Sequence, residues 1–182
     1  GVQTCALPIF MKDKIISLYQ QGSNEFTSED RALFDSFVDA LNQGSIRACE
    51  PTEAGWITNG WVKQGILLGF RMGKLAAMPL SSNKEFYEKD TMPEKRFTLQ
   101  DQVRIVPGGT SARTGCYIAA GVTIMPPAYI NIGAWIGSGS LIDSHALVGS
   151  CAQIGSNVHL SAGAMIGGVL EPIGSRPVVI ED

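Results

Sequence analysis

A single carboxylate, Asp143, lies within a long neutral stretch of this 182-residue chain. Between Thr114 and Leu170, a span of 57 residues, it is the one Asp, Glu, Lys or Arg. A carboxylate with no charged neighbour along the chain is suited to act as a general base or to bind an ammonium group. It is equally suited to accept backbone N–H bonds at a turn. The residue type alone leaves both interpretations open.

Histidine and cysteine offer rival chemistries that the pattern supports less well. His145 could lie in the same cleft as Asp143, although a residue at this position more often caps a corner. The ring of His159 is expected to face outward in a structural role. With two histidines in the chain, a zinc site built from three converging imidazoles is not expected, and no metal is predicted. Cys116 and Cys151 are interpreted as packing thiols.

A six-residue repeat must position these side chains. Positions two apart on a strand point to the same side, so each unit sends one aliphatic residue and the small or β-branched residue two before it inward. Three units return the chain above its start and so form one coil of a parallel β-solenoid. The repeat has nine such units, which predicts three coils. Asp143 directly follows one of the inward aliphatics. Stepping by six gives Ile118, Ile124, Ile130, Ile136, Ile142, Val148, Ile154, Leu160 and Ile166.

The residues ahead of the repeat predict a smaller α+β domain. Residues 27–30 (Thr-Ser-Glu-Asp) predict a helix start, apolar residues follow at helical spacing, and Gly44 predicts the helix end. Residues 61–70 also have helical spacing, although two glycines weaken it. The charged stretch 76–102 is interpreted as a connector, mostly loop with short ordered pieces.

Composition excludes several classes of protein. The net charge of −3 argues against a nucleic-acid surface, which needs concentrated Lys and Arg. A chain that is 45% apolar and 17% charged is too apolar to be disordered. The neutral stretch does not predict a membrane span, because glycines, prolines and polar residues interrupt every window of about 20 residues.

The beginning of the chain differs from the rest. Residues 1–10 carry no charge and no pattern, and Met11 then opens an amphipathic stretch like a natural N-terminus. We interpret 1–10 as foreign sequence, which removes Cys5 from the cysteine count. Three cysteines then remain, an odd number that favours a reducing cytoplasm over a disulfide framework. The predicted domains are 11–102, with the connector, and 103–182, a solenoid incomplete at its C-terminal end.

Several sequence runs, of which VGSCAQIGSNVHLS at 148–161 is the most specific, resemble one enzyme family. The others are RIVP at 104–107, NIGA at 131–134, GGVLEP at 167–172, IRACE at 46–50 and the stretch 61–71. The resemblance, which covers essentially 11–182, is to the tetrahydrodipicolinate N-succinyltransferases of bacterial lysine biosynthesis. It implies a left-handed solenoid, a homotrimer, and transfer of succinyl from succinyl-CoA to the amine of ring-opened tetrahydrodipicolinate. Succinyl-CoA would be a co-substrate, with no bound cofactor.

The resemblance also implies roles for two residues. Asp143 stands at the family's aspartate, which holds and activates the amine, and Arg104 stands at its substrate-binding arginine, just ahead of the repeat. Ser144-His145-Ala146 departs from the family's Thr-Trp-Ala, which puts substrate preference in question. Family members continue for further coils that supply a glutamate and most CoA contacts, so the 182-residue chain is expected to be inactive or poorly soluble. An N-acetyltransferase relative and a non-catalytic solenoid scaffold remain alternatives.

Overall fold

Three helices form the first part of the computed structural model, which describes residues 6–79 and 85–182. They are α1 (Ala6–Gln21), α2 (Ser28–Asn42) and α3 (Gly60–Met72). The predicted start of α2 is confirmed, because the Thr27 side chain accepts the Asp30 N–H and the Asp30 carboxylate accepts the Thr27 N–H. Its predicted end is confirmed too, since Gly44 adopts a φ of +70°. Cys5 and half of the segment interpreted as foreign lie outside the described residues.

Two of the three glycines of α3, Gly65 and Gly69, allow α2 to pack directly against its backbone. A Cβ on Gly65 would lie 2.5 Å from the ring of Phe37, and one on Gly69 would lie 2.4 Å from the ring of Phe34. Both phenylalanines are at most 1% exposed, so the rings occupy the space that larger residues on α3 would need. The glycines that weaken the helical pattern are therefore contact points of the domain core.

Two antiparallel hairpins complete this domain. The first joins β1 (Cys49–Thr52) to β2 (Gly55–Thr58), and the second joins β3 (Leu75–Pro79) to β4 (Glu85–Lys89). The second hairpin falls within the stretch interpreted as a connector of mostly loop, so that stretch is more ordered than predicted. The two strands pair along their whole length, from Leu75 with Lys89 to Pro79 with Glu85. The charged composition of the stretch 76–102 gave no indication of this pairing.

The remaining chain forms a parallel β-solenoid of short strands. Each strand of the repeat places its second residue in the core, as the repeat predicts. The strands are β5 (Arg104–Ile105), β6 (Ser111–Ala112), β7 (Tyr117–Ile118), β8 (Thr123–Ile124), β9 (Tyr129–Ile130), β10 (Trp135–Ile136), β11 (Leu141–Ile142), β12 (Leu147–Val148), β13 (Gln153–Ile154), β14 (His159–Leu160), β15 (Met165–Ile166) and β16 (Val179–Ile180).

The strands stack into three sheets of four, with the orders β7-β10-β13-β16, β5-β8-β11-β14 and β6-β9-β12-β15. The prediction of three coils was therefore short by about one. A strict step of six misses β5 because Ile105 lies seven residues before Ala112, and it passes over β6 because the inward residue there is Ala112 rather than a larger aliphatic residue. It misses the last because Ile154 pairs with Ile180, 26 residues on, across a loop inserted after Ile166. The left-handed sense of the solenoid stays a prediction.

The N-terminal domain packs on the sheet β7-β10-β13-β16. The guanidinium of Arg47 lies 3.7 Å from the ring centre of Trp135, and its Nε donates to the Gln153 side chain at 2.9 Å. Cys151, at a solenoid corner, belongs to the core of the N-terminal domain. The fully buried Lys63 on α3 donates to the carbonyl oxygen of Ser175 in the inserted loop. This sheet is consequently covered by the same chain.

Candidate functional site

Asp143 lies at the end of β11, on a second sheet of the solenoid. We call this sheet, β5-β8-β11-β14 with its outward side chains, the Asp143 face. The Asp143 N–H donates to the Leu160 carbonyl at 2.9 Å, which continues the pairing of β11 with β14. Because inward Ile142 precedes it, Asp143 points to the outer surface, where its side chain is 29% exposed. The carboxylate is thus held on regular backbone and remains accessible.

The two oxygens of this carboxylate have different partners. Oδ1 accepts the N–H of Ser144 at 2.7 Å, which is the turn interaction expected of an aspartate in a structural role. Oδ2 lies 3.5 Å from Nε2 of His159, whose side chain is 56% exposed. The turn interaction and a chemically available oxygen therefore coexist, and the alternatives left open by the sequence are not exclusive.

The contact between His159 and Asp143 was missed by the sequence interpretation. His159 does face outward as predicted, but it stacks on Leu141 in the neighbouring coil. Leu141 and Asp143 are the outward residues on either side of Ile142. Because His159 is in register with Leu141, it is the diagonal neighbour of Asp143. His159 follows Asp143 by 16 residues, which is one 18-residue coil minus two residues. This spacing places the two outward side chains diagonally on neighbouring coils and would have predicted their contact.

Arg104 begins the first strand of the Asp143 face. The sequence interpretation placed it just ahead of the repeat, whereas it lies within β5 and pairs with Thr123. The strand order puts β5 two steps from β11, and steps of ~4.8 Å separate the two backbones by roughly 10 Å along the solenoid axis. The structure thus brings Arg104 and Asp143 to one face, and none of the ion pairs among the described residues joins them.

The remaining candidates lie in structural positions. His145 is exposed at a corner with a φ of 62°. Burial raises the pKa of the Cys116 and Cys151 thiols to about 12 in each case, so both are protonated at neutral pH and are poor nucleophiles. The interpretation of these cysteines as packing thiols agrees with their burial.

Residues 6–79 and 85–182 contain neither a cluster suited to a metal ion nor a helix suited to a membrane. In this part of the chain, His, Cys, Asp and Glu form no group of three or more that could hold a metal ion. Across the same residues, every helix is too short or too polar to cross a bilayer. The Asp143 face presents a carboxylate, an imidazole and a guanidinium, from Asp143, His159 and Arg104.

Two family models match the chain. The model described as tetrahydrodipicolinate N-succinyltransferase N-terminal matches residues 11–72, and a bacterial transferase hexapeptide model of six repeats matches residues 133–168. The first match covers the α2 and α3 pair with its β1–β2 hairpin. The second covers the coils that carry Asp143 and His159.

Curated relatives match across both parts. Three of them are named 2,3,4,5-tetrahydropyridine-2,6-dicarboxylate N-succinyltransferase, from Psychrobacter sp., Ralstonia nicotianae and Paraburkholderia phymatum. They are 51%, 50% and 46% identical to this chain over 160, 156 and 149 residues, which is 85%, 84% and 80% of the chain. The chain spans about half the length of these relatives, with 57%, 56% and 54% covered.

Proposed function

Because the chain belongs to the tetrahydrodipicolinate N-succinyltransferase family of hexapeptide-repeat proteins, we propose that the protein of which it is part transfers succinyl from succinyl-CoA to the amine of ring-opened tetrahydrodipicolinate. The match of the N-terminal domain at residues 11–72 carries this proposal, since that model is described as the N-terminal part of tetrahydrodipicolinate N-succinyltransferase. The enzyme would act in the cytoplasm in lysine and diaminopimelate biosynthesis, as a homotrimer with succinyl-CoA as co-substrate.

Asp143 would hold the amino group of the acceptor. A carboxylate attracts an ammonium group more strongly where few other charges compete, and Asp143 is the one charged residue of its neutral stretch. Once the amine has lost a proton, its nitrogen attacks the thioester carbonyl carbon. The C–N bond forms, the C–S bond breaks, and the second proton of the nitrogen leaves with the CoA thiol.

The acyl donor is tested by comparing thiol release from succinyl-CoA and acetyl-CoA. We expect the natural protein that contains this sequence, at its full length, to show a kcat/KM at least about tenfold higher with succinyl-CoA. The control omits the amine acceptor and measures thioester hydrolysis. A preference for acetyl-CoA would assign the protein to the N-acetyltransferase alternative instead.

Arg104 would bind a carboxylate of the acceptor. Its guanidinium is exposed on the Asp143 face, and a planar fork of N–H donors suits a carboxylate. Replacement by Ala should raise the KM for the amine acceptor by roughly 10- to 100-fold with a smaller change in kcat, because a charge-assisted hydrogen bond contributes about 1.5–3 kcal/mol. Arg96→Ala, at an exposed arginine outside this face, is the matched control. Equal KM values for the two variants would contradict this role.

A further inference from the structure

The histidine beside Asp143 is placed to do more than support the solenoid. Nε2 of His159 faces the carboxylate oxygen Oδ2 at 3.5 Å, while Oδ1 is already engaged by the Ser144 N–H. An ammonium group hydrogen-bonded to Oδ2 would lie within a few Å of Nε2, because both atoms border the same space. The pair therefore combines a group that attracts a cation with a group that can take a proton from it.

The charge around the ring is simple. Asp143 is the charged residue in contact with His159. The nearest outward positions on the packed strands and the preceding corner, Leu141, Ser161 and Asn157, are neutral. Arg104 lies three strand steps from β14, roughly 14 Å along the axis. The charged groups that can act on the ring at close range are therefore Asp143 and a bound acceptor.

The reaction needs a proton acceptor that a carboxylate serves poorly. An alkylammonium group must become a neutral amine before its nitrogen can attack a thioester, and carboxylates are weak bases at neutral pH. An imidazole is half protonated near pH 6.5 and is suited to accept that proton under physiological conditions. We propose that Nε2 of His159 accepts the proton that the ammonium group held by Asp143 must lose, an inference that rests on the proposed acyl transfer.

The protons balance as follows. The neutral ring, with its own proton on Nδ1, takes the first proton from the ammonium group and releases it to water through its exposed edge. The nitrogen lone pair then forms the C–N bond at the thioester carbonyl. The tetrahedral intermediate loses its second N–H proton to the ring, the C–S bond electrons leave with sulfur, and the imidazolium protonates the thiolate. The products are the amide, free CoA and one proton in solution.

His159→Gln tests this step, because the glutamine amide can occupy the position of Nε2 and hydrogen-bond to Asp143 but has no basic atom. In the natural full-length protein we expect kcat to fall by about 100-fold or more, with the KM for the amine within about threefold of the unsubstituted value. The unsubstituted enzyme should lose kcat/KM toward acidic pH, because a protonated ring cannot accept a proton, and the variant should lack this acidic limb. His145→Asn removes the other histidine at an exposed corner where Asn tolerates the positive φ, and it should alter neither quantity.

The outcomes separate this inference from the proposed function. Absence of succinyl transfer by the unsubstituted protein would contradict the function itself. Normal transfer together with a His159→Gln variant that keeps both its rate and its acidic limb would overturn the role of His159 alone. A His159→Ala variant that loses activity while His159→Gln retains it would show that the ring only positions Asp143, and would also overturn the inference. Thermal unfolding of each variant checks that the solenoid is intact.

Discussion

Asp143→Asn is expected to lower kcat of the natural full-length protein by about 100- to 10,000-fold in the succinyl-CoA assay. The amide keeps an oxygen that can accept the Ser144 N–H, so the turn after β11 should survive. What is lost is the negative charge that attracts the ammonium group. Steady-state kinetics at saturating acceptor separates this loss from weaker binding.

A matched control and a stability measurement make this prediction specific. Asp39→Asn removes a carboxylate from an exposed position on α2, far along the chain from the solenoid, and should leave kcat unchanged. Both variants should unfold at the temperature of the unsubstituted protein. Full activity of the Asp143 variant would contradict a catalytic role for this carboxylate, whereas absence of transfer by the unsubstituted protein as well would support the non-catalytic scaffold.

Ile136→Ala is expected to destabilise the protein by about 2–5 kcal/mol, the range found when a buried aliphatic residue leaves a cavity. Ile136 is fully buried and pairs with Ile118 in the coil on one side and with Ile154 in the coil on the other. Each coil contacts only its neighbours, so a cavity in a middle coil weakens two interfaces. Urea unfolding followed by circular dichroism measures the change.

The control for this substitution is Ile57→Ala in β2, which deletes the same atoms from a residue that is 49% exposed. Its cost should be about 1 kcal/mol or less, because much of that side chain is already in water. Equal destabilisation by the two substitutions would mean that the inward column of aliphatics does not form the well-packed core described here.

The solenoid was predictable because its core requires the same residue type at a fixed interval. Nine aliphatic residues at a spacing of six identify nine strands, and each of these forms. Strand β6 escaped because its inward residue is Ala112 rather than a larger aliphatic residue. Strands β5 and β16 escaped because turns of different length follow or precede them, and turn length is not constrained by packing inside the coil. The β3–β4 hairpin escaped for a different reason: β3 shows no alternation of apolar and polar residues, and Phe86 and Tyr87 of β4 are exposed, so neither strand carries the pattern of a half-buried sheet.

The candidate site was predictable only in part. The isolation of Asp143 in a neutral stretch was visible from residue types, and the role of Arg104 came from resemblance. The Asp143–His159 pair depends on which coil positions are diagonal neighbours, which requires the register of parallel strands as well as the repeat length. The glycines of α3 show the same limit, since Gly65 disfavours a helix locally and yet provides the contact with Phe37.

Because the coils of the Asp143 face stack regularly, the number of residues between two side chains determines their separation along the solenoid axis. Moving a side chain by one 18-residue coil, as from Thr123 to Leu141, shifts it by ~4.8 Å without changing the direction in which it points. Along the solenoid axis, the spacing between a cation and a carboxylate on this surface can therefore change only in steps of one coil. Arg104 and Asp143 lie two coils apart, and Asp143 lies two residues beyond Leu141, the residue in register with Arg104, so both offsets set the length of acceptor that could touch the two side chains.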